Sequence, residues 1–480
     1  VEHQPSPNPG RATNTQAPLV DTAAPAPAAM PAPAPASHTT SPIPESLYRE
    51  AMAKLQPVVV SGDILGYSYV REFWRGWKLK SIVLSCANIK LTSSSKLCDY
   101  RVVEHVDREE VLIPTLLSLG KELAARGKKG FVVGSGDWYA RILSQHKDEL
   151  APYFVVPYIP FDLLNDITQK SRFYAICEEL GIPYPHTWRI SCADPAPHIP
   201  FDELHFPVIA KPANSAEYHY AEFEGKKKIF EVQTAQELQT IVTRLAASTY
   251  TNELLVQDFI PGDDDGLCSV TLFADEHSVC TLSCMARVAL QDHDPAAIGN
   301  PVCMVQHRVE DVISNAKQFL QRVGYVGYAN FDVKYDPRDG SYRFFEINTR
   351  PGRNTYYVSL AGHNFVEPQL YEFYLKPYVR AHTNDEHILA RLEQSLPERA
   401  LTQPFLYTCV PWYVVARSLR DSELLKRVRS GFTSHHEHSP LFNRSDSLAH
   451  NFWAACTYWH SIVKYKRYLW DVRDRAQKSA

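Results

Sequence analysis

The stretch Tyr328–Asn348 constrains this chain more than any other part of it. Tyr328–Tyr335 and Ser341–Asn348 have the apolar, aromatic-rich character of strands, and Pro337-Arg338-Asp339-Gly340 between them is a turn sequence. The two therefore read as a hairpin. Asp332 sits in its first strand, Glu346 and Asn348 in its second. Side chains alternate faces along a strand, so Glu346 and Asn348 point the same way, and pairing brings Asp332 beside them. A solvated hairpin face would carry polar residues too. Three hard oxygen donors gathered in apolar surroundings nevertheless suit a magnesium ion, which shares such ligands with phosphates. Arg350 continues the alternation, and a guanidinium there stabilises charge on a transferring phosphoryl group.

Upstream, strands and helices alternate. Val58-Val59-Val60-Ser61-Gly62-Asp63 reads as a buried strand entering a turn, Tyr69–Lys80 has helical spacing, and Ser81–Leu84 is a second strand. Val111–Arg126 follows as a helix and Gly130–Gly136 as a third strand. That alternation implies a parallel sheet covered on both faces. Gly62-Asp63 and Gly136-Asp137 fall at strand C-termini, where such sheets bind ligands or simply turn tightly. Ser171–Leu180 reads as a helix, Pro207–Pro212, Leu254–Phe259 and Ser269–Ala274 as strands, and Val309–Val323 as a helix. Beyond Phe365 the pattern is mostly helical and aromatic, ending in a basic amphipathic helix over Tyr458–Lys478. The expected organisation is a disordered tail over 1–45, an N-terminal α/β domain over 46–160, a central lobe over 161–260, a lobe with the hairpin over 261–370, and a helical extension over 371–480.

The tail reading rests on composition. Residues 1–45 are rich in proline and alanine and offer too little apolar surface to offset the entropy of ordering. A net charge of -4 supplies no basic field for nucleic acid. No apolar run approaches the ~20 residues of a membrane helix, and no basic start precedes an apolar core as in a secretory signal. Ten cysteines without a CxxC pair read as those of a reduced cytoplasmic protein. His435-His436-Glu437-His438 has no second ligand pair at metal spacing and reads as a solvated loop. In the C-terminal helix, Lys464, Lys466, Arg467 and Arg473 lie among Trp459, Tyr465, Tyr468 and Trp470. The aromatics are expected to pack on the body of the protein; the same composition permits peripheral contact with a membrane or an anionic lipid-linked precursor.

Asp332, a turn, then Glu346-x-Asn348-x-Arg350-Pro351-Gly352 resembles the metal-binding hairpin of ATP-grasp enzymes, a family that includes D-alanine–D-alanine ligases, biotin carboxylases and other carboxylate–amine ligases. The likeness runs over roughly residues 57–365. It implies a mixed α/β and α+β ATP-grasp fold, with an N-terminal parallel-sheet domain, a small central lobe, a metal-binding C-terminal lobe and a helical extension. It also implies ATP and Mg²⁺ as cofactors, with Asp332, Glu346 and Asn348 as metal ligands. Lys170 matches the first nucleotide-binding lysine and Lys211 the second, which contacts the ATP phosphates. Gln257-Asp258-Phe259-Ile260 matches the hinge whose backbone reads adenine, and an acid among Asp263 to Asp265, taken as Asp264, would hold the ribose. Arg287 falls where the family places a phosphate- or substrate-binding cation, so Arg350, Arg287 and Lys211 are the implied catalytic residues. In one respect the chain departs from the pattern. The glycine-rich flap expected after the second lysine is replaced by Asn214-Ser215-Ala216-Glu217-Tyr218 and Phe223-Glu224-Gly225-Lys226-Lys227-Lys228.

Within the family, Lys211-Pro212-Ala213-Asn214-Ser215-Ala216-Glu217-Tyr218, Phe223-Glu224-Gly225-Lys226-Lys227-Lys228 and Gln257-Asp258-Phe259-Ile260-Pro261-Gly262-Asp263-Asp264 resemble the D-aspartate ligases of bacterial cell-wall synthesis. The resemblance implies attachment of D-aspartate, activated as an acyl phosphate, to a side-chain amine of a peptidoglycan precursor. Another amino-acid or dipeptide ligase of the same family, or a non-catalytic nucleotide-binding protein, is the alternative.

Overall fold

Val58, Val59 and Val60 are wholly buried because both faces of their sheet are covered. A computed structural model describes residues 43–194, 196–213, 218, 221–227, 229–294, 297–434 and 437–479. Most of the expected tail, part of the flap segment and His435-His436 lie outside the described residues. The first sheet is parallel, in the order β3-β2-β1-β4-β5, from β1 (Leu55–Val60), β2 (Ser81–Ser85), β3 (Cys98–Val102), β4 (Lys129–Gly134) and β5 (Phe154–Val155). The strand order reverses between β1 and β4, so their C-terminal ends flank a crevice. The helix after β1 spans Ile64–Trp77, starting earlier than the spacing from Tyr69 suggests. Asp63 is the reason: its Oδ1 accepts the Gly66 N–H at 2.9 Å and caps the helix. After β4, Gly136 adopts φ 133°, a conformation open to glycine, and the chain turns into the helix Asp137–Gln145.

The second sheet is antiparallel, in the order β6-β9-β7-β8, from β6 (Thr187–Ser191), β7 (Val208–Pro212), β8 (Phe230–Val232) and β9 (Glu253–Asp258). Leu238, Val242 and Leu245 of the helix Ala235–Ala246 share its core with Val208, Ala210 and Val256. The helix Lys170–Leu180, expected in this lobe, packs elsewhere. Its Phe173 ring lies 5.1 Å from Phe319 and 6.4 Å from Phe331, in the core of the third sheet.

That third sheet has seven strands: β10 (Leu267–Ala274), β11 (Cys280–Gln291), β12 (Pro301–Gln306), β13 (Gly327–Asp336), β14 (Ser341–Asn348), β15 (Arg399–Leu401) and β16 (Leu406–Thr408). Its order is β14-β13-β10-β11-β12-β16, with β15 alongside β11. One face carries Val270, Leu272 and Met285 against the helix Glu310–Arg322. The other face, with Cys284, Ala286 and Tyr328, shares one core with Tyr69, Val70 and Phe73 from the first sheet's helix. The segment read as a mostly helical extension also carries two short strands. β15 and β16 are three residues each, too short to show an alternating pattern, and they complete the third sheet. The last long helix begins at Leu448 rather than Tyr458, because the Ser447 hydroxyl accepts the His450 N–H at 3.0 Å. Just before it, buried Asp446 accepts bonds from Tyr67 Oη (2.8 Å), Ser95 Oγ (2.5 Å) and the Lys96 amide (2.9 Å), joining this segment to the first sheet's unit. Among the described residues, no helix is long and apolar enough to cross a membrane.

Candidate active site

The hairpin β13–β14 sets Asp332 directly opposite Glu346 and Asn330 opposite Asn348. A bulge follows, leaving Phe345 as the extra residue. Asn348 Nδ2 donates to Asp332 Oδ2 at 3.1 Å. Asn330 Nδ2 donates to Asp332 Oδ1 at 3.3 Å, so two amides grip one carboxylate. Behind them, Asn330 Oδ1 accepts from Ser269 Oγ and Thr271 Oγ1, each at 2.9 Å, and the Tyr357 hydroxyl donates to Thr271 Oγ1 at 2.7 Å. Burial, and then the charge of Glu346, hold the Asp332 carboxyl above the usual carboxylate range. Two acids that face each other in this way suit a divalent cation, which removes their repulsion and takes hard oxygen ligands. The sequence reading missed Asn330, although alternation puts it on the face of Asp332.

Two lysines approach the same strand from different elements. Lys170, at the start of its helix, holds Nζ 3.6 Å from Glu346 Oε2. Lys211, on β7, donates to the Tyr174 hydroxyl at 3.4 Å and lies 5.9 Å from the Tyr174 and Phe345 ring centres. Tyr174 in turn donates to the Phe345 carbonyl at 2.9 Å. Burial, with the neighbouring charge of Lys170, pushes the Lys211 amine down to about 7. This amine is therefore poised to gain a proton when an anion arrives. Arg350 reaches the C-terminal end of the first sheet, where Nη2 donates to Asp137 Oδ2 at 2.8 Å. Its Nη1 donates to the Pro351 carbonyl at 3.0 Å, while Nε is buried without a hydrogen-bond partner among the described residues.

The hinge residues follow β9. Gln257 is buried, its amide donating to Thr187 Oγ1 at 2.7 Å, and the Asp258 N–H is bonded to the His186 carbonyl. Lys334 pins what comes next: its Nζ donates to the carbonyls of Ile260 (2.8 Å) and Gly262 (2.9 Å) and stands 5.7 Å from the Phe259 ring centre. Lys334 is two positions from Asp332 on β13, so one strand carries both the hairpin acid and the hinge anchor.

Two expected site residues are engaged elsewhere. Asp264 accepts from the Gln291 side chain (2.7 Å) and backbone (3.1 Å) and lies 2.8 Å from His293 Nε2, so both its oxygens are occupied within the protein. Arg287 stands in register with Cys268 and Val333, whereas Asp332 stands with Ser269, which pairs with Ala286. Neighbours in register share a face, so Arg287 projects from the face opposite Asp332. It bonds Asp421 Oδ2 at 3.0 Å and the Asp265 carbonyl at 2.8 Å, and is not brought to the hairpin acids. Glu437, in the histidine-rich segment, is bonded by Arg71 and Tyr356.

Residues 169–362 match the family described as the carbamoyl-phosphate synthase L chain, ATP binding domain. The chain is 36% identical to the D-aspartate ligase of Enterococcus faecium (strain Aus0004) over 354 residues, covering 72% of this chain and 83% of that one. It is 25% identical over 212 residues to a D-alanine–D-alanine ligase of Xylella fastidiosa, covering 42% of this chain and 65% of the other. Among solved structures, an L-amino acid ligase from Bacillus licheniformis is similar over 67% of this chain and 74% of its own, with a TM-score of 0.47 at 16% identity.

Proposed function

The chain belongs to the ATP-grasp carboxylate–amine ligases, and on that premise we propose that it joins D-aspartate to an amine of a peptidoglycan precursor through an acyl phosphate. As an ATP-grasp ligase it uses ATP to form carbon–nitrogen bonds. A free carboxylate does not acylate amines, because oxide would have to leave. A carboxylate oxygen of the amino acid therefore attacks the γ-phosphorus of ATP, and ADP departs with the electrons of the broken bond. The amine then attacks the acyl carbon, phosphate leaves, and the new amide loses a proton.

The residues divide this work. Asp332, Glu346 and Asn348 would hold Mg²⁺, which when bound neutralises and orients the phosphates. Lys170 and Lys211 balance phosphate charge from the other side, and Arg350 stabilises charge on the group in transfer. The backbone after β9, held by Lys334, receives the adenine. The single observation that carries this reading is the pairing of Asp332 with Glu346 on adjacent strands, gripped by Asn348 and approached by Lys170. The 36% identity to a D-aspartate ligase supports the choice of amino acid, and the use of ATP supports a cytoplasmic place of action.

The test is mass spectrometry of the products made from ATP, mixed D- and L-amino acids and peptidoglycan precursors. A precursor heavier by one aspartyl residue, formed from the D-isomer alone, is the expected result. A different amino acid in the product points to another ligase of the family, and ATP binding without turnover to a non-catalytic protein.

A further inference from the structure

A cleft of about 370 Å³ opens where the loop after β14 meets the helix Leu448–Tyr465. Its walls include Ile64, from the helix that leaves the first sheet, Arg353, from the loop after β14, and one face of the helix Leu448–Tyr465. Trp453, Thr457, His460 and Lys464 on that helix recur at intervals of three and four, which aligns them along one side. A chain of hydrogen bonds links the neighbour of Arg353 to the carboxylate site. Asn354, next to Arg353, donates to Ser269 Oγ at 3.2 Å, and Ser269 donates to the Asn330 that grips Asp332.

The charges of the cleft are unequal in freedom. Lys464 is already paired, with Asp294 at 3.1 Å and Asp292 at 4.0 Å. Arg353 has neither a hydrogen bond nor an ion pair among the described residues, although it is partly buried in the wall. A planar guanidinium in a sheltered wall is built to take a carboxylate through two parallel bonds. The space lies toward the lower end of the ~300–1,000 Å³ typical of small-molecule sites.

We propose that this cleft binds the amine substrate as a peptide, and that Arg353 pairs with a free carboxylate of that peptide while the helix Leu448–Tyr465 forms its outer wall. The proposal rests on the ligase reading above and gives the helix beyond the ATP-grasp lobes a part in substrate recognition.

The test uses the full chain with ATP, D-aspartate and one of three amines: hydroxylamine, the lysine-containing pentapeptide of the precursor, or the same peptide amidated at its C-terminus. Hydroxylamine attacks the acyl phosphate without needing the cleft, expelling phosphate to leave a hydroxamate. The wild type is expected to show a KM for the free-acid peptide about tenfold below that for the amide, a difference of about 1.4 kcal/mol. Arg353→Ala should erase that difference and weaken peptide use far more than hydroxamate formation, while Arg353→Lys keeps part of the discrimination. Trp453→Ala should raise KM for both peptides alike. Hydroxamate formation together with full discrimination in Arg353→Ala would overturn the cleft proposal alone. Absence of hydroxamate from the wild type would overturn the ligase reading and this inference with it.

Discussion

Arg350 donates to Asp137 at 2.8 Å, tying the loop after the carboxylate hairpin to the first residue of the helix that leaves β4. The guanidinium is thus held from the first sheet's side while it faces the third sheet's acids. Truncating Arg350 to alanine is expected to lower kcat by about 10²–10³, the cost of removing one preorganised charge-stabilising group. Asp137→Ala leaves the cation in place but frees its rotation, so the expected loss is nearer tenfold. Steady-state phosphate release separates the two. Equal losses would mean that Asp137 has a role of its own.

Asp332→Asn and Glu346→Gln each remove a charge from the facing pair. Amino-acid-dependent phosphate release should fall by about 10²-fold or more, and the magnesium concentration for half-maximal rate should rise. A magnesium titration of each variant checks both. Retention of wild-type magnesium dependence in both variants would sink the ligand assignment.

Lys211 gives a pH signature. Its amine titrates near 7 in the folded protein against 10.5 in its ordinary state. Above pH 7 the nucleotide-free site holds it neutral, so binding of ATP should take up protons, and affinity should decline as pH rises beyond about 7. Calorimetry in two buffers of different ionisation enthalpy measures the uptake, which Lys211→Met should abolish. The same shift affects stability. Between about 7 and 10.5 the unfolded chain binds a proton that the native site does not, so this group makes the nucleotide-free protein more stable as pH climbs through that window.

Asp446 supports the wall of the cleft. Its replacement by alanine leaves the buried Tyr67 and Ser95 hydroxyls, and the partly buried Lys96 amide, without this acceptor. A loss of about 3 kcal/mol in unfolding free energy is expected, at ~1–3 kcal/mol for each buried group left unsatisfied. Urea denaturation measures it. Asp446→Asn keeps one acceptor oxygen and should lose less.

Much of the fold was legible because its signals are local. The hairpin turn and the period of its strands identify Ser341–Asn348 directly, and apolar runs give β1, β2 and β4. The start of the helix at Ile64 was also locally encoded, in the cap Asp63, but apolar spacing alone does not display it. What was not legible depends on partners distant in sequence. Arg287 has the identity and strand position of a substrate cation, yet it is neutralised by Asp421, in a segment with no recognisable pattern. Asp264 sits in a run of acids suited to a ribose, yet Gln291 and His293 consume it. Lys334 reads as a polar residue near a turn until the hinge carbonyls are folded over it.

The pairing of β12 with β16 sets a timetable for the nascent chain. Val302, Cys303, Met304 and Val305 are buried; β11 pairs with one edge of this strand, and on its other edge Cys303 stands in register with Thr408. At the ~5–20 residues per second of protein synthesis, a ribosome needs roughly 5–20 s to travel from one strand to the other. Throughout that interval the edge of β12 that β16 will cover offers unpaired backbone groups to any neighbouring polypeptide. Conditions that slow elongation between Gln306 and Leu406 should therefore lower the soluble yield of this chain more than the same delay placed after Thr408.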